Sequence, residues 1–183
     1  FFVLCDKMVS LGVTPFVWPG DSVGYTEYLC DVFADNIGGA DAVRLNYTYD
    51  SGASTTKIIT SFDSNGNPVV EDVAITTDNG YLLKQQTGRY YAISFFAKVM
   101  SNSSYYHPFS TGNLTFSHTD AQETFLESDL KEEPIAFLVD GTWWENEADS
   151  TGIFKDMSNT EGAGRMERNF GILSLPKPTE NEI

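Results

Sequence analysis

Apolar residues recur at helical spacing in the first forty residues, with a short extended run between two such stretches. The spacing predicts a first helix over residues 1–11 and an extended segment over residues 13–18. It predicts a second helix over residues 22–33, ended by Gly38 and Gly39, because paired glycines favour a helix stop.

The pattern changes to β-branched and aromatic residues over residues 42–75. Two runs, 55–62 and 68–75, flank a polar turn that contains Asn65 and Gly66. Both turn residues tolerate positive φ, so Asn-Gly between such runs is a strong hairpin signal. The sequence therefore predicts a β-hairpin within residues 42–75.

Helical periodicity resumes after the hairpin. A long helix is predicted from Thr77 or Asp78 to Met100, and its broad apolar surface predicts a central position in the core. A further helix is predicted to open at Thr119, with Thr119 and Gln122 as a capping box. The apolar stripe of the long helix comprises Leu82, Leu83, Tyr90, Ile93, Phe96, Ala97 and Met100.

The last third of the chain places a short apolar run between a proline and a tight turn. Residues 135–139 are predicted to form a strand buried on both faces, and a helix is predicted to begin within residues 142–147. A glycine-containing loop with Gly162 and Gly164 precedes a final extended segment over residues 170–175. Helices alternating with isolated short strands, without an internal repeat, predict one α/β or α+β domain over residues 1–183.

Charge and composition exclude several classes of protein. The 183 residues hold 11 Lys and Arg against 26 Asp and Glu, a net charge of −15. Such a chain lacks the basic clusters that bind nucleic acid or anionic lipid. The hydrophobic content of 41% is too high for a disordered chain, and no apolar run is long enough to span a membrane.

The chain contains only two cysteines, Cys5 and Cys30. They could form one disulfide, or each could be a small apolar thiol in a core, and their spacing does not decide between the two. N-glycosylation sequons begin at Asn46, Asn102 and Asn113. Chance would give roughly one or two sequons in a chain this rich in Asn, Ser and Thr, so the three decide nothing alone.

Two adjacent tryptophans at the start of a helix are the leading candidates for ligand contact. Successive helix residues point about 100° apart, so Trp143 and Trp144 cannot share one environment. One can anchor the core while the other faces a cleft, where an indole suits the C–H face of a sugar ring. Glu145 could accept hydrogen bonds from ligand hydroxyls. The alternatives are that both rings only pack and that the acid only complements the helix dipole.

A second aromatic cluster surrounds a Pro-Gly loop near the start of the chain. Phe16, Trp18 and Tyr25 could line a ligand cleft, or they could form a hydrophobic staple on the following helix. The two histidines, His107 and His118, lack the spacing of a metal site. Because no cofactor, phosphate-binding or nucleophile motif occurs either, we expect no metal, no cofactor and no enzymatic activity.

Three segments of the chain carry a resemblance to a known family. Residues 135–147 resemble the apolar strand, small turn and Gly-x-Trp element of extracellular solute-binding proteins of bacterial ABC importers, in the sugar-binding branch. Residues 170–178 are similar to a Phe-Gly segment ending in Pro-x-Pro that follows in that family. Residues 1–18, with Gly12-Val13-Thr14-Pro15-Phe16, are similar to a stretch of the family's second lobe in which a helix is followed by Gly, Ile or Val, any residue, Pro, and Phe or Leu. The three segments keep the family's order.

The resemblance implies a helix-rich periplasmic-binding-protein-like lobe of type II, with residues 42–75 as a hairpin insertion. Such a lobe captures a carbohydrate by closing against an amino-terminal lobe and delivers it to the transmembrane subunits of an ABC permease. By position, Trp143 is the leading stacking residue, followed by Trp144, Trp18 and Glu145, and Tyr25 is a further candidate from the aromatic cluster near the start of the chain. The resemblance also implies an extracellular, lipid-anchored protein, and the start at Phe1 leads us to expect another lobe upstream.

Two other classes of protein compete with this interpretation. A surface carbohydrate-binding or adhesion module would suit the sequons and the hairpin. A glycosidase fragment would need two carboxylates facing each other about 5 to 9 Å apart, and no pattern selects such a pair from the 26 acidic residues.

Overall fold

The computed structural model describes residues 1–157 and 169–173, and about 51% of these are helical in a mixed α/β arrangement with few, short strands. The helices are α1 (Phe2–Ser10), α2 (Val23–Thr48), α3 (Thr87–Met100), α4 (His118–Glu127), α5 (Trp144–Ser150) and α6 (Ile153–Met157). The strands are β1 (Thr14–Val17), β2 (Thr56–Phe62), β3 (Pro68–Val73) and β4 (Ile135–Leu138). The predicted loop at Gly162 and Gly164, and the segment beyond residue 173, lie outside the described residues.

Backbone contacts divide the chain into two compact units. The first unit holds Phe1–Tyr28 and the described residues from Lys98 onward, and the second holds residues 29–97. The described part of the second unit is therefore a continuous segment that interrupts the first in sequence. It contains the predicted hairpin and is longer than the 42–75 insertion expected from the sequence.

The first unit is built on a parallel pair of strands. β1 and β4 pair in parallel, with Phe16 opposite Phe137, as the predicted extended segments and the intervening α4 allow. Ile135 is buried, but the rest of β4 is only half-buried, so the prediction of a strand buried on both faces was wrong beyond its first residue.

Two apolar clusters hold the helices of the first unit in place. One packs α4 against the strands, and the other joins α4 to α5 and α6. The first comprises Val17, Phe116, Ala121 and Ile135, and the second comprises Leu126, Ala148, Ile153, Phe154 and Met157. Cys5 is also a buried thiol, on α1, as the core interpretation of that residue predicts.

The second unit contains the antiparallel hairpin that the sequence predicts. β2 and β3 pair across a turn in which Gly66 adopts φ 83°, and Asp63 accepts hydrogen bonds from the backbone N–H groups of Asn65 and Asn67. A hydrogen bond from the side-chain amide of Asn67, followed by these backbone bonds, holds the pKa of the Asp63 carboxyl below its usual value. The core beneath the hairpin comprises Leu45, Ile58, Ile75 and Leu83.

α2 extends beyond the helix end that Gly38 and Gly39 predict. Gly39 breaks the helical geometry at φ 75°, ψ 179°, as expected of a glycine stop, but helical structure resumes and α2 continues to Thr48. Residues 42–48 are therefore helical rather than β-structured. Leu45, buried against the hairpin core, supplies the packing that outweighs the local preference.

The region predicted as one long helix is two shorter ones. A 3₁₀ turn over Gly80–Gln85 precedes α3, and the extended backbone of Gln86 separates them. Ile93, expected in the apolar stripe, is 62% exposed, whereas Ala92 and Val99 are buried. α3 therefore buries only one side, and the prediction that it is central on most of its surface was wrong.

The start of α4 differs by two residues from the predicted capping box. Ser117 is the N-cap, and its hydroxyl accepts a hydrogen bond from the backbone N–H of Asp120, whose carboxylate accepts from the N–H of Ser117. The prediction of Thr119 and Gln122 was wrong because the Gln122 side chain is buried and donates to Asp140 and Glu147 instead of reaching back to the helix start. None of the helices in the described part has the length and apolar character needed to cross a membrane.

Candidate ligand-binding site

The carboxyl ends of β1 and β4 place two loops at one edge of the parallel pair. The loop after β1 carries Trp18 to Asp21, and the loop after β4 carries Asp140 and Gly141. The amino end of α4 brings His118 to the same edge, since α4 leads into β4. Ligands of parallel α/β units bind at this end of the strands, and here it is the candidate site.

Trp143 and Trp144 occupy different environments, as predicted for adjacent helix residues. Trp143 precedes α5 and is 49% exposed, and its six-membered ring lies across the backbone of Gly141. A Cβ at Gly141 would lie 2.2 Å from that ring, so only glycine allows the indole to fold back in this way. Trp143 thus presents an open aromatic face beside the end of β4.

Trp144 is a packing residue. Its ring makes edge contacts with Phe125 and Phe170, at centroid distances of 6.0 and 5.0 Å. It lies against the apolar cluster that joins α4, α5 and α6. In this structure the packing interpretation of Trp144 accounts for its position.

Trp18 is buried and offers no open face to a ligand. It is 3% exposed, its ring lies 5.1 Å from that of Tyr106, and its backbone N–H donates to the hydroxyl of Ser110. Gly20, in the same loop, packs directly against the backbone of Phe109, because a Cβ there would lie 2.1 Å from the Phe109 carbonyl oxygen. The aromatic cluster around this loop is thus mainly a packing feature, and Phe16 is buried as well.

Tyr25 is half-buried in an acidic setting at the start of α2. Its ring stacks on His118, with planes 12° apart and centroids 6.4 Å apart. Partial burial, followed by the nearby carboxylates of Asp140 and Glu147, raises the pKa of Tyr25 to about 12. The phenol is therefore a neutral hydrogen-bonding group over the physiological pH range.

A buried amide joins two carboxylates beneath these rings. Nε2 of Gln122 donates to Oδ2 of Asp140 at 2.9 Å and to Oε2 of Glu147 at 3.0 Å. The backbone N–H of Gly141 donates to the other oxygen of Asp140 at 2.6 Å. The amide and the N–H fix both carboxylates at the edge where Tyr25 and His118 stack.

Burial raises the pKa of the Asp140 carboxyl, and the charge of Glu147 adds to the rise. The hydrogen bonds from Gln122 and Gly141, together with His118, act in the opposite direction. Burial has the largest effect because removing a carboxylate from water disfavours its charged form.

The sequence predicts part of this site. Trp143 and Tyr25 were named as candidates, and both lie at the strand ends with an accessible surface. Glu145 is half-buried on α5, next to the site in sequence. Gln122, Asp140, Glu147 and His118 were not chosen as site residues. The position of Asp140 directly after a strand was an available signal, whereas the burial of Gln122 was not.

A separate groove lies elsewhere in the first unit. Its volume is about 740 Å³, and it is lined by Thr14 and Ile135 at the amino ends of β1 and β4 and by one side of α4. Many of its side chains are carboxylates, and burial lowers the pKa of His107 in its wall. It is thus a different surface from the one that carries Trp143.

The described residues provide no evident metal site. Within residues 1–157 and 169–173, no group of three or more His, Cys, Asp or Glu side chains is arranged to hold a metal ion. Comparison of the chain with protein-family models, with curated proteins and with solved structures finds no match. The residues of the chain and their geometry therefore carry any conclusion on its function.

Proposed function

We propose that this chain is the substrate-binding lobe of an extracellular solute-binding protein of an ABC importer, of the type II periplasmic-binding-protein class. In this proposal it captures a carbohydrate together with an amino-terminal lobe of the same protein and delivers it to the permease subunits. The protein acts outside the cell, anchored by lipid, and performs no chemistry on the solute.

The exposed indole of Trp143 is the observation that carries the proposal. The ring is 49% exposed, and Gly141 makes room for it at the end of β4, where parallel α/β units bind their ligands. A flat apolar surface beside hydrogen-bonding groups is what a sugar ring requires, because its C–H face is apolar and its edge carries hydroxyls.

Polar side chains at the same edge supply hydrogen-bond partners for the hydroxyls of a sugar. Asp140 and Glu147 are held in fixed positions by Gln122, and the neutral phenol of Tyr25 both donates and accepts. Groups fixed before binding lose little conformational freedom when they contact a ligand. Glu145 is a further acceptor in this proposal.

Saturation-transfer NMR with mono- and oligosaccharides tests the proposal. We expect at least one saccharide to receive magnetisation from the wild-type chain and this transfer to disappear in Trp143→Ala. Tyr81→Ala is the matched control, because Tyr81 is also an exposed aromatic residue but lies in the second unit. Loss of transfer in both variants, or in neither, would contradict a site at Trp143.

Binding affinity and hydrolytic activity distinguish the proposed function from a carbohydrate-binding module and from a glycosidase. One lobe contacts one side of its ligand, so we expect dissociation constants in the millimolar range for the chain alone. Micromolar affinity measured by calorimetry would favour a self-sufficient carbohydrate-binding module. Hydrolysis of an oligosaccharide by the purified chain would favour a glycosidase.

A further inference from the structure

The polar atoms at the candidate site accept more hydrogen bonds than they donate. Gln122 is 1% exposed, and its Nε2 faces two carboxylates, so the reverse amide orientation would place a carbonyl oxygen against two negative charges. Its Oε1 is buried and has no hydrogen-bond donor among the described residues. The amide therefore brings one more unmatched acceptor to a pair of carboxylates.

Within the described part of the chain, no lysine or arginine forms an ion pair with these carboxylates, and His118 is the basic side chain whose charge acts on Asp140. The ion pairs found there lie elsewhere, and none includes Asp21, Asp140 or Glu147. The donors to Asp140 and Glu147 are the neutral amide of Gln122 and the backbone N–H of Gly141. Among the described residues, the edge thus carries more acidic than basic side chains next to the exposed ring of Trp143.

We propose that the captured solute carries a protonated amine, as an amino sugar does, and that this amine binds beside Asp140 and Glu147. The inference rests on the proposed function and specifies its ligand class. A protonated amine only donates hydrogen bonds, whereas a hydroxyl donates and accepts, so the amine is the better match for a site rich in acceptors. Hydrogen bonds between charged partners are also about twice as strong as neutral ones.

The aromatic rings at the edge favour the same ligand. A cation near the face of Trp or Tyr is attracted by the negative charge of the π system. Trp143 offers such a face. Tyr25 lies close enough to Asp140 and Glu147 for their charges to raise the pKa of its phenol. An amino sugar brings both the apolar ring face and the cation that these groups favour.

A comparison of three related sugars tests the inference on the intact chain. Glucosamine, glucose and N-acetylglucosamine share one ring, and only the first carries a charge at about pH 6, below the range of free amino groups. We expect glucosamine to shift the NMR signals of the Trp143 indole and the His118 ring at about tenfold lower concentration than the other two, as a charged hydrogen bond predicts.

Single substitutions assign this preference to the carboxylates. Glu147→Gln and Asp140→Asn, each checked for native circular dichroism, should reduce the preference for glucosamine to about twofold or less. Glu123→Gln is the matched control, because it removes one charge from an exposed position on the same helix as Gln122. It should keep the preference.

The possible failures are distinguishable. Equal binding of all three sugars, or a preference that survives both carboxylate substitutions, would overturn the amine inference and leave the proposed function standing. Ethanolamine shifting both signals as strongly as glucosamine, with no response to glucose, would overturn recognition of a sugar. Absence of any response to every saccharide would overturn the proposed function and the inference together.

Discussion

Gly141 determines where the exposed indole lies. The ring of Trp143 occupies the space that a Cβ at this position would need, and the ring is the far end of a movable side chain. A small change at the glycine therefore displaces the ring more readily than it strains the backbone.

We expect Gly141→Ala to leave the unfolding free energy within about 0.5 kcal/mol of wild type, as surface substitutions usually do. The same substitution should weaken saccharide binding as strongly as Trp143→Ala, because the ring loses its position. Gly171→Ala is the control, since a Cβ there meets no atom within 4 Å. Urea denaturation and saturation-transfer NMR measure the two effects. Unchanged binding in Gly141→Ala would show that the ring position is unimportant.

The carboxyl of Asp140 is a destabilising charge at neutral pH. Its pKa in the folded chain is raised above its ordinary value of 3.8, chiefly by burial. A raised pKa contributes stability that is present below the ordinary value and is lost as pH rises through the folded value. We therefore expect Asp140→Asn to raise the melting temperature near pH 7 and to leave it unchanged near pH 3. A variant less stable than wild type near pH 7 would contradict the assigned cause.

At the scale of elements, the sequence predicted what depends on local chemistry. The hairpin followed from Asn65 and Gly66, and the break in α2 from Gly39, because both places need positive φ. The helical end of α2 could not be predicted, since Leu45 is held by a core that forms only when distant residues meet. The burial of Trp18 likewise depends on residues about ninety positions later.

The capping box of α4 positions two residues of the site. Ser117 caps the helix that presents His118 and Gln122, and its substitution removes a hydrogen bond to the backbone of Asp120. We expect Ser117→Ala to lower the unfolding free energy by about 1 kcal/mol in urea denaturation. Ser10→Ala is the control, because the exposed Ser10 hydroxyl at the end of α1 caps no amino terminus. Equal effects of the two substitutions would contradict the assignment of Ser117 as the cap.

At the scale of the molecule, the charge of −15 acts against the folded state. Like charges repel more strongly in a compact chain, and salt screens them over about 8 Å at physiological ionic strength. We expect the melting temperature to rise as sodium chloride is added from low ionic strength to about that level. Potassium chloride should have the same effect, because screening does not depend on the cation. A melting temperature that falls with added salt would show that the few ion pairs outweigh the repulsion.

The candidate site and the hairpin lie in different units. Every residue of the candidate site belongs to the unit built on β1 and β4, and the hairpin belongs to the other. The sequence could predict the site's aromatic residues because their side chains are distinctive. It could not select Asp140 and Glu147 from 26 acidic residues, since their partner is a single buried glutamine.

The three tryptophan indole N–H signals give the most direct test of the central claim. Trp18 is buried, Trp144 is packed between Phe125 and Phe170, and Trp143 alone of the three presents an open face. In a ¹H–¹⁵N spectrum of the intact chain titrated with saccharides, we expect the Trp143 signal to move and the other two to stay in place. A saccharide that moves Trp18 or Trp144 while leaving Trp143 unchanged would contradict a carbohydrate site at the ends of β1 and β4.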